Sequence, residues 1–540
     1  MGVIYADLER GALGLRGRIA NSLGGVRVLR RTVERMERCE RLNGITVFCP
    51  ASQEEKIKEL ISERRAEVIG LKEQPPVNAY VRRRKWSLGS WRGGIHEATL
   101  FDEQSFTGEM IAQLREREVY SVVIVPAEAV LVDAKLLDGL IEHHQKHAEV
   151  MRFTFSQAAA GLNGWAFRLD MLSDLVATGG HIGDVLGYDP KNTHSDYITQ
   201  ECCFQVESAV RGNYFRYLAD TQRNFSALGK LWSNGNGDIS DWTAEQIIEK
   251  ITAQYDNVDI LPCELEIEIN TEPSLRIKGY PHRWEDEQPP RQAMSLELFE
   301  KIVNDCADYD DICITMGGFG EPLQHPDLIG MIPAAKRAGI FGINIETDGR
   351  ALTGELADAL LESPVDVISV FLDANSAELY QRVKGQDGFD AVVEQVEKFV
   401  EKSKARGSSA PLVIPHLVKT RDTMEEMEAF YDRWLKTCGA AVITGYNDYA
   451  GQIDDRAVMD MAPLQRYPCS RPDRCLTIRA DGSAAICSQD YQAEYTLGNV
   501  KDKSVKELWR SEAMDNLRQA QRRGSFDGNL LCAKCKEWHR

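Results

Sequence analysis

The residues with the clearest capacity for chemistry are cysteines near the end of the chain. Cys469 and Cys487 flank a predicted hairpin with an Asp-Gly turn at 481–482, and a Cys532-Ala-Lys-Cys535 pair follows a helix predicted near Val505–Arg522. The turn brings Cys469 and Cys487 close together. Four thiolates suit a [4Fe–4S] cluster or a structural zinc ion, since both accept four sulfurs. Cys475 is a fifth cysteine, with no assigned partner.

A glycine-rich segment in the middle of the chain has the composition of a ligand-binding loop. It begins Gly317-Gly318-Phe-Gly320-Glu321 and follows a predicted strand, Ile312–Met316. Glycines lack a Cβ, so the backbone there can approach a ligand closely. The Glu321 carboxylate could pair with an ammonium group. By itself such a segment is compatible with a structural turn or with a ligand site.

Four regions position these residues. Residues 1–230 alternate short apolar strands with helical stretches, 231–262 form a turn-rich linker, 263–462 repeat the α/β alternation, and 463–540 consist of short cysteine-bearing segments. Alternating strands and helices predict parallel α/β sheets. The strands predicted in the third region are Leu265–Ile269, Ile312–Met316, Gly342–Thr347, Val365–Leu372, Leu412–Val418 and Ala441–Gly445.

The third region resembles the radical SAM superfamily. The resemblance rests on the glycine-rich segment, on Thr347-Asp-Gly-Arg350 and on Ile368–Asp373 followed by Tyr380 and Gly385, in the family's order and spacing. It implies a partial (β/α)6 TIM barrel. It also implies that the glycine-rich backbone and Glu321 contact the amino group of S-adenosylmethionine.

The cluster loop of that family lacks its cysteines in this chain. In the family, a strand ends in a C-x3-C-x2-C loop whose thiolates hold a [4Fe–4S] cluster, and the three ligand positions fall here on Pro273, Ile277 and Tyr280. Reductive cleavage of S-adenosylmethionine needs a cluster with an open iron, and iron–sulfur clusters are held by thiolates. The sequence therefore predicts a barrel without this cluster.

The C-terminal cysteines resemble those of a small SPASM auxiliary cluster domain, and the whole chain resembles the spiro-SPASM proteins. This resemblance implies one [4Fe–4S] cluster on Cys469, Cys487, Cys532 and Cys535, with zinc as the alternative. Four cysteine ligands leave no open iron. The cluster's role would then be structural or electron-transferring.

The N-terminal region resembles a nucleotidyltransferase of the cytidylyltransferase and spore-coat-polysaccharide type, which implies a Rossmann-like sheet. The stretch from Gly11 to Gly25 resembles the family's glycine- and arginine-rich nucleotide loop, with Arg18 in place of the usual lysine. Glu128 stands where the family has a metal-binding aspartate, and its oxygens could hold Mg²⁺. The resemblance makes Arg18 and Glu128 the candidate catalytic residues.

The charge of the chain restricts the classes of binding partner that we expect. The formal net charge is −19, which argues against nucleic acid or an anionic membrane as partner. We find no signal-like segment and predict a cytoplasmic protein that binds a small molecule or a peptide, with a protein partner left open. The leading hypothesis is an iron–sulfur protein that binds a nucleotide, sugar or peptide ligand without cleaving S-adenosylmethionine, in a recognition or scaffold role. The alternatives are a sugar-nucleotide transferase and a radical enzyme with an atypical cluster.

Overall fold

The structure is a computed structural model of the 540-residue chain. It describes residues 1–75, 81–93, 98–180, 182–186, 197–233, 239–254, 260–272, 293–406, 410–490, 494–526 and 530–539. Pro273, Ile277 and Tyr280, the three positions of the missing cysteines, lie outside the described residues. The chain divides into two compact units, Met1–Asn257 and Val258–Arg540.

The first unit is built on a mixed sheet with helices. Its strands are β1 (Gly2–Tyr5), β2 (Ser22–Leu23), β3 (Val26–Arg27), β4 (Ile45–Pro50), β5 (Ala66–Leu71), β6 (Arg92–Gly93), β7 (Ala98–Thr99), β8 (Ser121–Ile124), β9 (Phe153–Ser156), β10 (Trp165–Arg168) and β11 (Cys203–Phe204). Its helices are α1 (Val28–Met36), α2 (Glu54–Leu60), α3 (Val81–Arg84), α4 (Gly108–Glu116), α5 (Ala134–Lys146), α6 (Leu169–Ala177), α7 (Ser208–Arg211), α8 (Gln222–Ser233) and α9 (Ala244–Gln254).

The main sheet of the first unit has the order β11-β9-β10-β8-β1-β4-β5. Strand β1 pairs in parallel with β4 on one side and with β8 on the other. The strand order therefore reverses direction at β1, which makes β1 a topological switch point. In open α/β sheets, ligands bind beyond the carboxyl ends of the strands at such a point.

Helix α9 lies inside the segment 231–262 that we predicted as a linker. Ile247, Ile248 and Ile251 are buried in the core of the first unit, at the three- and four-residue spacing of an amphipathic helix. The prediction gave more weight to the turn-rich sequence at 233–238 than to this helical periodicity. The first unit extends to Asn257.

The second unit contains the remaining elements. Its strands are β12 (Glu264–Glu268), β13 (Cys313–Gly317), β14 (Gly342–Thr347), β15 (Val367–Phe371), β16 (Leu412–Lys419), β17 (Val442–Gly445), β18 (Cys475–Ile478), β19 (Ser483–Ala485) and β20 (Thr496–Asn499). Its helices are α10 (Leu296–Asn304), α11 (Leu328–Arg337), α12 (Gly354–Glu362), α13 (Ala377–Lys384), α14 (Phe389–Ala405), α15 (Met427–Cys438), α16 (Arg471–Arg474), α17 (Val505–Trp509), α18 (Glu512–Arg522) and α19 (Leu530–Lys534).

Strands β12 to β17 pair in parallel, each with the next along the chain. This arrangement confirms the predicted α/β class and the predicted strands, with ends that shift by up to two residues. The sheet is open between β17 and β20 in the described part of the chain, so the barrel is partial rather than closed.

The cysteine-rich end of the chain joins this sheet. Strand β18 pairs in parallel with β12, and β19 returns antiparallel to β18 through the predicted turn, where Gly482 has φ +86°. The helix predicted over Val505–Arg522 is interrupted, because Ser511 adopts an extended conformation and starts α18. Among the described helices, none is long and apolar enough to cross a membrane.

Candidate functional site

The sheet of the second unit has one apolar and one polar side. Leu265, Ile267, Ile345 and Leu417 belong to the hydrophobic core that also contains Phe299 of α10. Strand residues alternate between the two sides, so their neighbours point away from these helices. We call this second side the inner face; it carries Glu264, Glu266, Glu268, Thr315, Asn344, Glu346, Ser369, Phe371, His416, Cys475 and Thr477.

One acid on the inner face is paired with a guanidinium. Arg471 Nη2 donates to Glu266 Oε1 at 2.5 Å and to Ser488 Oγ at 2.8 Å, and Thr477 Oγ1 donates to Glu266 Oε2 at 2.8 Å. Arg471 holds the pKa of Glu266 below its usual range despite burial. Arg471 and Ser488 follow Cys469 and Cys487 closely in the sequence, so this pair links the inner face to the cysteine-rich end.

Two other acids on this face have no such partner. Within the described residues, Glu346 and Glu264 make no side-chain hydrogen bond or ion pair with another residue. Burial, together with the charges of Glu266 and Glu264, raises the pKa of Glu346 to about 7. Burial and the charge of Glu266 likewise raise the pKa of Glu264. Arg471 and Arg474 only partly offset these shifts, so the clustered acids Glu264 and Glu346 are less readily ionised than exposed glutamates.

His416 on β16 is a buried polar group with unmet hydrogen bonds. It is 6% exposed, and neither ring nitrogen has a partner in the described structure. Its ring stacks on Phe371 with centroids 4.6 Å apart. Burial lowers the pKa of His416 to about 4, so the ring is neutral at physiological pH. A buried polar group without a partner is rare and points to a ligand or an ordered water.

This pKa shift makes the second unit sensitive to acid. The unfolded His416 takes up its proton near pH 6.5 and the folded one near pH 4, so stability is lost as pH falls through that range. We expect His416→Gln to remove on the order of 3 kcal/mol of this pH dependence, since one pKa unit is about 1.4 kcal/mol. Urea unfolding of both proteins between pH 7 and 4 measures it. Glu346 titrates in the same pH range, but both proteins contain it, so its contribution cancels when their stabilities are compared. An identical dependence of unfolding free energy on pH in the two proteins would contradict the expectation.

The glycine-rich loop after β13 packs directly on the end of β12. A Cβ on Gly320 would lie 2.0 Å from the carbonyl oxygen of Asn270, and Gly318 has φ +97° with a Cβ position 2.9 Å from Glu268 Cβ. Asn270 Nδ2 also donates to the Glu321 carbonyl at 3.0 Å. The glycines therefore allow the loop after β13 to pack closely on the backbone that follows β12, at the carboxyl ends of the strands.

We expect Gly320→Ala to destabilise the second unit by about 1–3 kcal/mol, the usual cost of overpacking, because the opposing atom is backbone and cannot rotate away. Gly330→Ala in α11 is a matched control, since its Cβ would meet nothing closer than 3.6 Å. That control should be neutral or stabilising, because alanine favours a helix. Denaturant unfolding compares the two, and equal effects would contradict the assignment.

Glu321 is held by its own loop. Its Oε1 accepts from Thr347 Oγ1 at 2.6 Å and from the Leu323 amide at 3.0 Å, and its Oε2 accepts from the Asp348 amide at 3.0 Å. Burial and the nearby Asp348 charge raise the pKa of Glu321 to about 7. The carboxylate thus ties the glycine-rich loop to the end of β14, and a ligand would have to share these oxygens.

The four predicted ligand cysteines lie in one neighbourhood. Burial and the charges of Cys487 and Cys469 raise the pKa of Cys532 to about 11, and burial with the other three thiols near it raises the pKa of Cys535 to about 12. The Glu537 amide donates to Cys535 Sγ at 3.3 Å. Four thiols are the donor types that a [4Fe–4S] cluster or zinc accepts, but as placed in the described structure they do not form the geometry of a single-metal site.

Cys475 lies on the inner face at the start of β18, within electrostatic range of Cys487. It is 7% exposed, and Arg471 Nη2 lies 3.9 Å from its Sγ. Burial and the charge of Glu266 raise its pKa well above the usual range. In the described ranges, no group of three or more His, Cys, Asp or Glu side chains is arranged to hold a single metal ion.

In the first unit, Glu128 lines a cleft at the switch point of the sheet. The cleft opens beyond the ends of β1 and β8 and is lined also by Tyr5, Asp7, Arg10 and Gly11. A Cβ on Gly11 would lie 3.3 Å from Glu128 Oε1. Burial and the charge of Asp220 raise the pKa of Glu128 to about 7. A bound divalent cation would favour its ionised form.

Arg18, the other candidate catalytic residue, is buried beside the Asp220 backbone. It is 7% exposed, and its Nη1 donates to the Asp220 carbonyl at 2.8 Å. Arg18 is absent from the residues that line the described cleft, whereas Arg10 is among them. The structure therefore brings Arg10 to Glu128 in this cleft, and uses Arg18 to fix the backbone at Asp220.

Sequence reasoning missed most of the inner face. The alternation Glu264-Leu-Glu266-Ile-Glu268-Ile269 is the signal that could have found it, because period-two patterning of acids in a buried strand predicts a polar second side. No comparable local signal marks His416 or Arg471. Their roles depend on which strands become neighbours.

Comparison with known families agrees with this architecture. A family model described as the radical SAM superfamily matches residues 279–433, and one described as an iron–sulfur cluster-binding domain, SPASM, matches residues 469–536. The first match begins after Pro273 and Ile277, two of the positions without cysteine.

Individual relatives are distant. An uncharacterized protein of Treponema pallidum is 24% identical over 310 residues, which cover 56% of this chain and 85% of that protein. The tungsten-containing aldehyde ferredoxin oxidoreductase cofactor-modifying protein of Pyrococcus furiosus is 24% identical over 292 residues, 46% of this chain and 81% of that protein.

One solved structure shows a weak likeness to this chain. A cytidylyltransferase from Leptospira borgpetersenii is 16% identical and covers 47% of this chain and 94% of its own, with a TM-score of 0.32. The two family matches show that the chain carries a radical SAM superfamily region at 279–433 followed by a SPASM iron–sulfur cluster-binding domain at 469–536.

Proposed function

We propose that this protein binds a nucleotide, sugar or peptide ligand in its partial barrel without cleaving S-adenosylmethionine, in a recognition or scaffold role. The observation that carries the proposal is the chemistry of three side chains: Pro273 and Ile277 have no ligand atom, and Tyr280 has a single phenol oxygen. One phenolate cannot replace three thiolates around a cluster.

The proposed cofactor is a single [4Fe–4S] cluster on Cys469, Cys487, Cys532 and Cys535, with zinc as the alternative. Four thiolates complete the coordination of either group. Such a cluster supplies structure or electron transfer when bound, and it has no iron open to chelate a substrate. S-adenosylmethionine binding at Gly317–Glu321 stays compatible with this proposal, because binding through backbone needs no cluster.

Metal analysis and a cleavage assay test the proposal together. The anaerobically reconstituted full chain should hold about four iron and four sulfide, the content of one cluster, and should form no 5′-deoxyadenosine from S-adenosylmethionine with dithionite. Cys532→Ser/Cys535→Ser should lose this iron, whereas Cys438→Ser, outside the set, should keep it. About eight iron together with 5′-deoxyadenosine would overturn the proposal in favour of a radical enzyme with an atypical cluster; stoichiometric zinc would replace the cluster assignment.

A sugar-nucleotide transferase in the first unit is a second candidate, favoured by the cleft that joins Glu128 and Arg10 at the switch point. Its cofactor would be Mg²⁺ held by Glu128. CTP turnover with a panel of sugar phosphates and Mg²⁺ tests it. Glu128→Ala should abolish turnover, and Glu116→Ala, at the exposed end of α4, should not. Absence of turnover across the panel would exclude this candidate.

We further propose a reducing, cytoplasmic location, since most of the thirteen cysteines are buried free thiols or belong to the proposed cluster set. The partners that we propose are a small molecule or peptide, with a second protein if the role is that of a scaffold. The net charge of −19 favours neither nucleic acid nor an anionic membrane.

A further inference from the structure

A tyrosine from another loop lies against the glycine-rich segment of the second unit. Phe319, between Gly318 and Gly320, is 8% exposed, and its ring centroid lies 6.3 Å from that of Tyr449. The two rings are tilted by 56° to each other, and both values are usual for an aromatic pair. The glycine-rich segment thus contacts a side chain of the protein itself at the carboxyl ends of the strands.

The same tyrosine is close to charged groups of the inner face. Burial and the charge of Glu346 raise the pKa of Tyr449. Glu266 acts in the same direction, and Arg479 opposes it. The Arg479 guanidinium in turn lies 4.6 Å from the centroid of the Phe319 ring, within the range of a cation–π contact. Tyr449 therefore reaches both the glycine-rich segment and the inner face.

The backbone that carries Tyr449 has an uncommon conformation. We call residues 448–452 the Tyr449 loop. Tyr449, Ala450 and Gly451 have φ angles of +50°, +57° and +76°. Only glycine adopts a positive φ without steric cost, so Tyr449 and Ala450 are strained. Non-glycine residues keep such a conformation only where the surrounding contacts fix it, and they cluster at ligand sites and switch regions.

Contacts with the SPASM region fix the Tyr449 loop. The Gly451 amide donates to Asp448 Oδ1 at 3.2 Å, and Asp448 Oδ2 lies 3.3 Å from Lys536 Nζ. Gln452 Nε2 donates to the Gln489 carbonyl at 2.6 Å. Lys536 and Gln489 both belong to the SPASM match. The loop is therefore held against the glycine-rich segment by contacts outside itself, and the loss of a few of them would release its strain.

We propose that the Tyr449 loop is a lid, which covers the glycine-rich segment in the structure and moves away when a ligand binds there. The inference rests on the proposed function, which places a ligand in the partial barrel, and it adds how access to that ligand is controlled. A closed lid competes with the ligand, so the apparent affinity is reduced by the fraction of molecules in which the lid is open. Removing the Tyr449 ring or an anchor of the loop should raise the affinity.

S-adenosylmethionine is the probe, and its binding to the reconstituted full-length protein is measured by equilibrium dialysis. Tyr449→Ala should bind about tenfold more tightly than the unaltered protein, the change expected when the open fraction rises from about a tenth to nearly one. Gln452→Ala, which removes the contact with Gln489, should act in the same direction. The control is Tyr120→Ala in the first unit, where the tyrosine is 63% exposed; it should bind as the unaltered protein does.

Hydrogen–deuterium exchange tests the lid without a ligand. The amides of residues 317–321 should exchange faster in Tyr449→Ala, because the aromatic cover is gone, whereas those of β14 should keep their rates. Iron content and melting curves establish that each variant folds; if Tyr449→Ala does not fold, Gln452→Ala decides by the same two measurements.

Three results would each overturn the lid: unchanged exchange at residues 317–321, equal or weaker binding by Tyr449→Ala, or no binding by either protein. The proposed function fails by a different measurement, the formation of 5′-deoxyadenosine, so the two failures are distinguishable.

Discussion

Replacing Arg216 with methionine is expected to destabilise the N-terminal unit by about 3–5 kcal/mol, the usual cost of leaving a buried charge without its partner. Arg216 is 3% exposed and donates to both oxygens of Glu103, at 3.0 and 2.7 Å. Its Nε also donates to Asp220 Oδ2 at 2.9 Å. Without Arg216, Glu103 keeps Arg84, but Asp220 keeps only weak support from Asn224, at 3.5 Å, among its described side-chain contacts.

Arg117→Met provides the matched control in the same unit. Arg117 pairs with Glu67 at 2.6 Å, but the two side chains are 27% and 51% exposed. Exposed pairs of this kind contribute about 0–1 kcal/mol. Urea unfolding followed by a probe in the first unit should separate the two variants by at least about 2 kcal/mol. Similar losses in both would show that burial does not decide the strength of these pairs.

Replacing Lys384 with methionine is expected to cost the second unit a similar amount, about 3–5 kcal/mol. Lys384 Nζ lies 2.6 Å from Asp373 Oδ2, and the side chains are 4% and 2% exposed. Asp373 Oδ1 accepts from the Val418 amide at 2.8 Å, so the carboxylate also joins the end of β15 to β16. The variant leaves that carboxylate buried without its cation.

A second change separates the charge from the packing. Adding Asp373→Asn to Lys384→Met should recover part of the loss, because the uncompensated charge is gone while the amide can still accept from Val418. Lys402→Met is the exposed control; its pair with Asp358 has side chains 54% and 59% exposed. Thermal and urea unfolding measure all three, and a double variant no more stable than Lys384→Met would contradict the explanation.

The sequence predicted the elements of the second unit well, because each strand is a short apolar run bounded by turn residues. The prediction for β14, Gly342–Thr347, has the bounds found in the structure, and that for β16 differs by one residue. A short apolar run indicates a buried strand, and it can be recognised from the sequence of that segment alone. The same local information predicted the hairpin around Gly482.

The parts of the site that sequence could not predict depend on contacts between distant segments. The acids of β12 meet Arg471 because β18 adds to the sheet beside β12, some two hundred residues later in the chain. His416 lacks hydrogen-bond partners because of the residues that pack around it, and the sequence of its own strand does not reveal those neighbours. Arg18 was assigned by resemblance, and its hydrogen bond to the Asp220 carbonyl joins it to a segment about two hundred residues away, which its own segment does not reveal.

The pairing of β12 with β18 has a consequence for biosynthesis. Residue 264 leaves the ribosome well before residue 475, its partner in register. At about 5–20 residues per second, one edge of β12 waits roughly 10–40 s for the strand that covers it. During that interval the strand exposes backbone groups and a row of glutamates, and charged side chains on an open edge oppose pairing with another nascent chain. The acids of β12 would therefore oppose mispairing of that edge until β18 covers it.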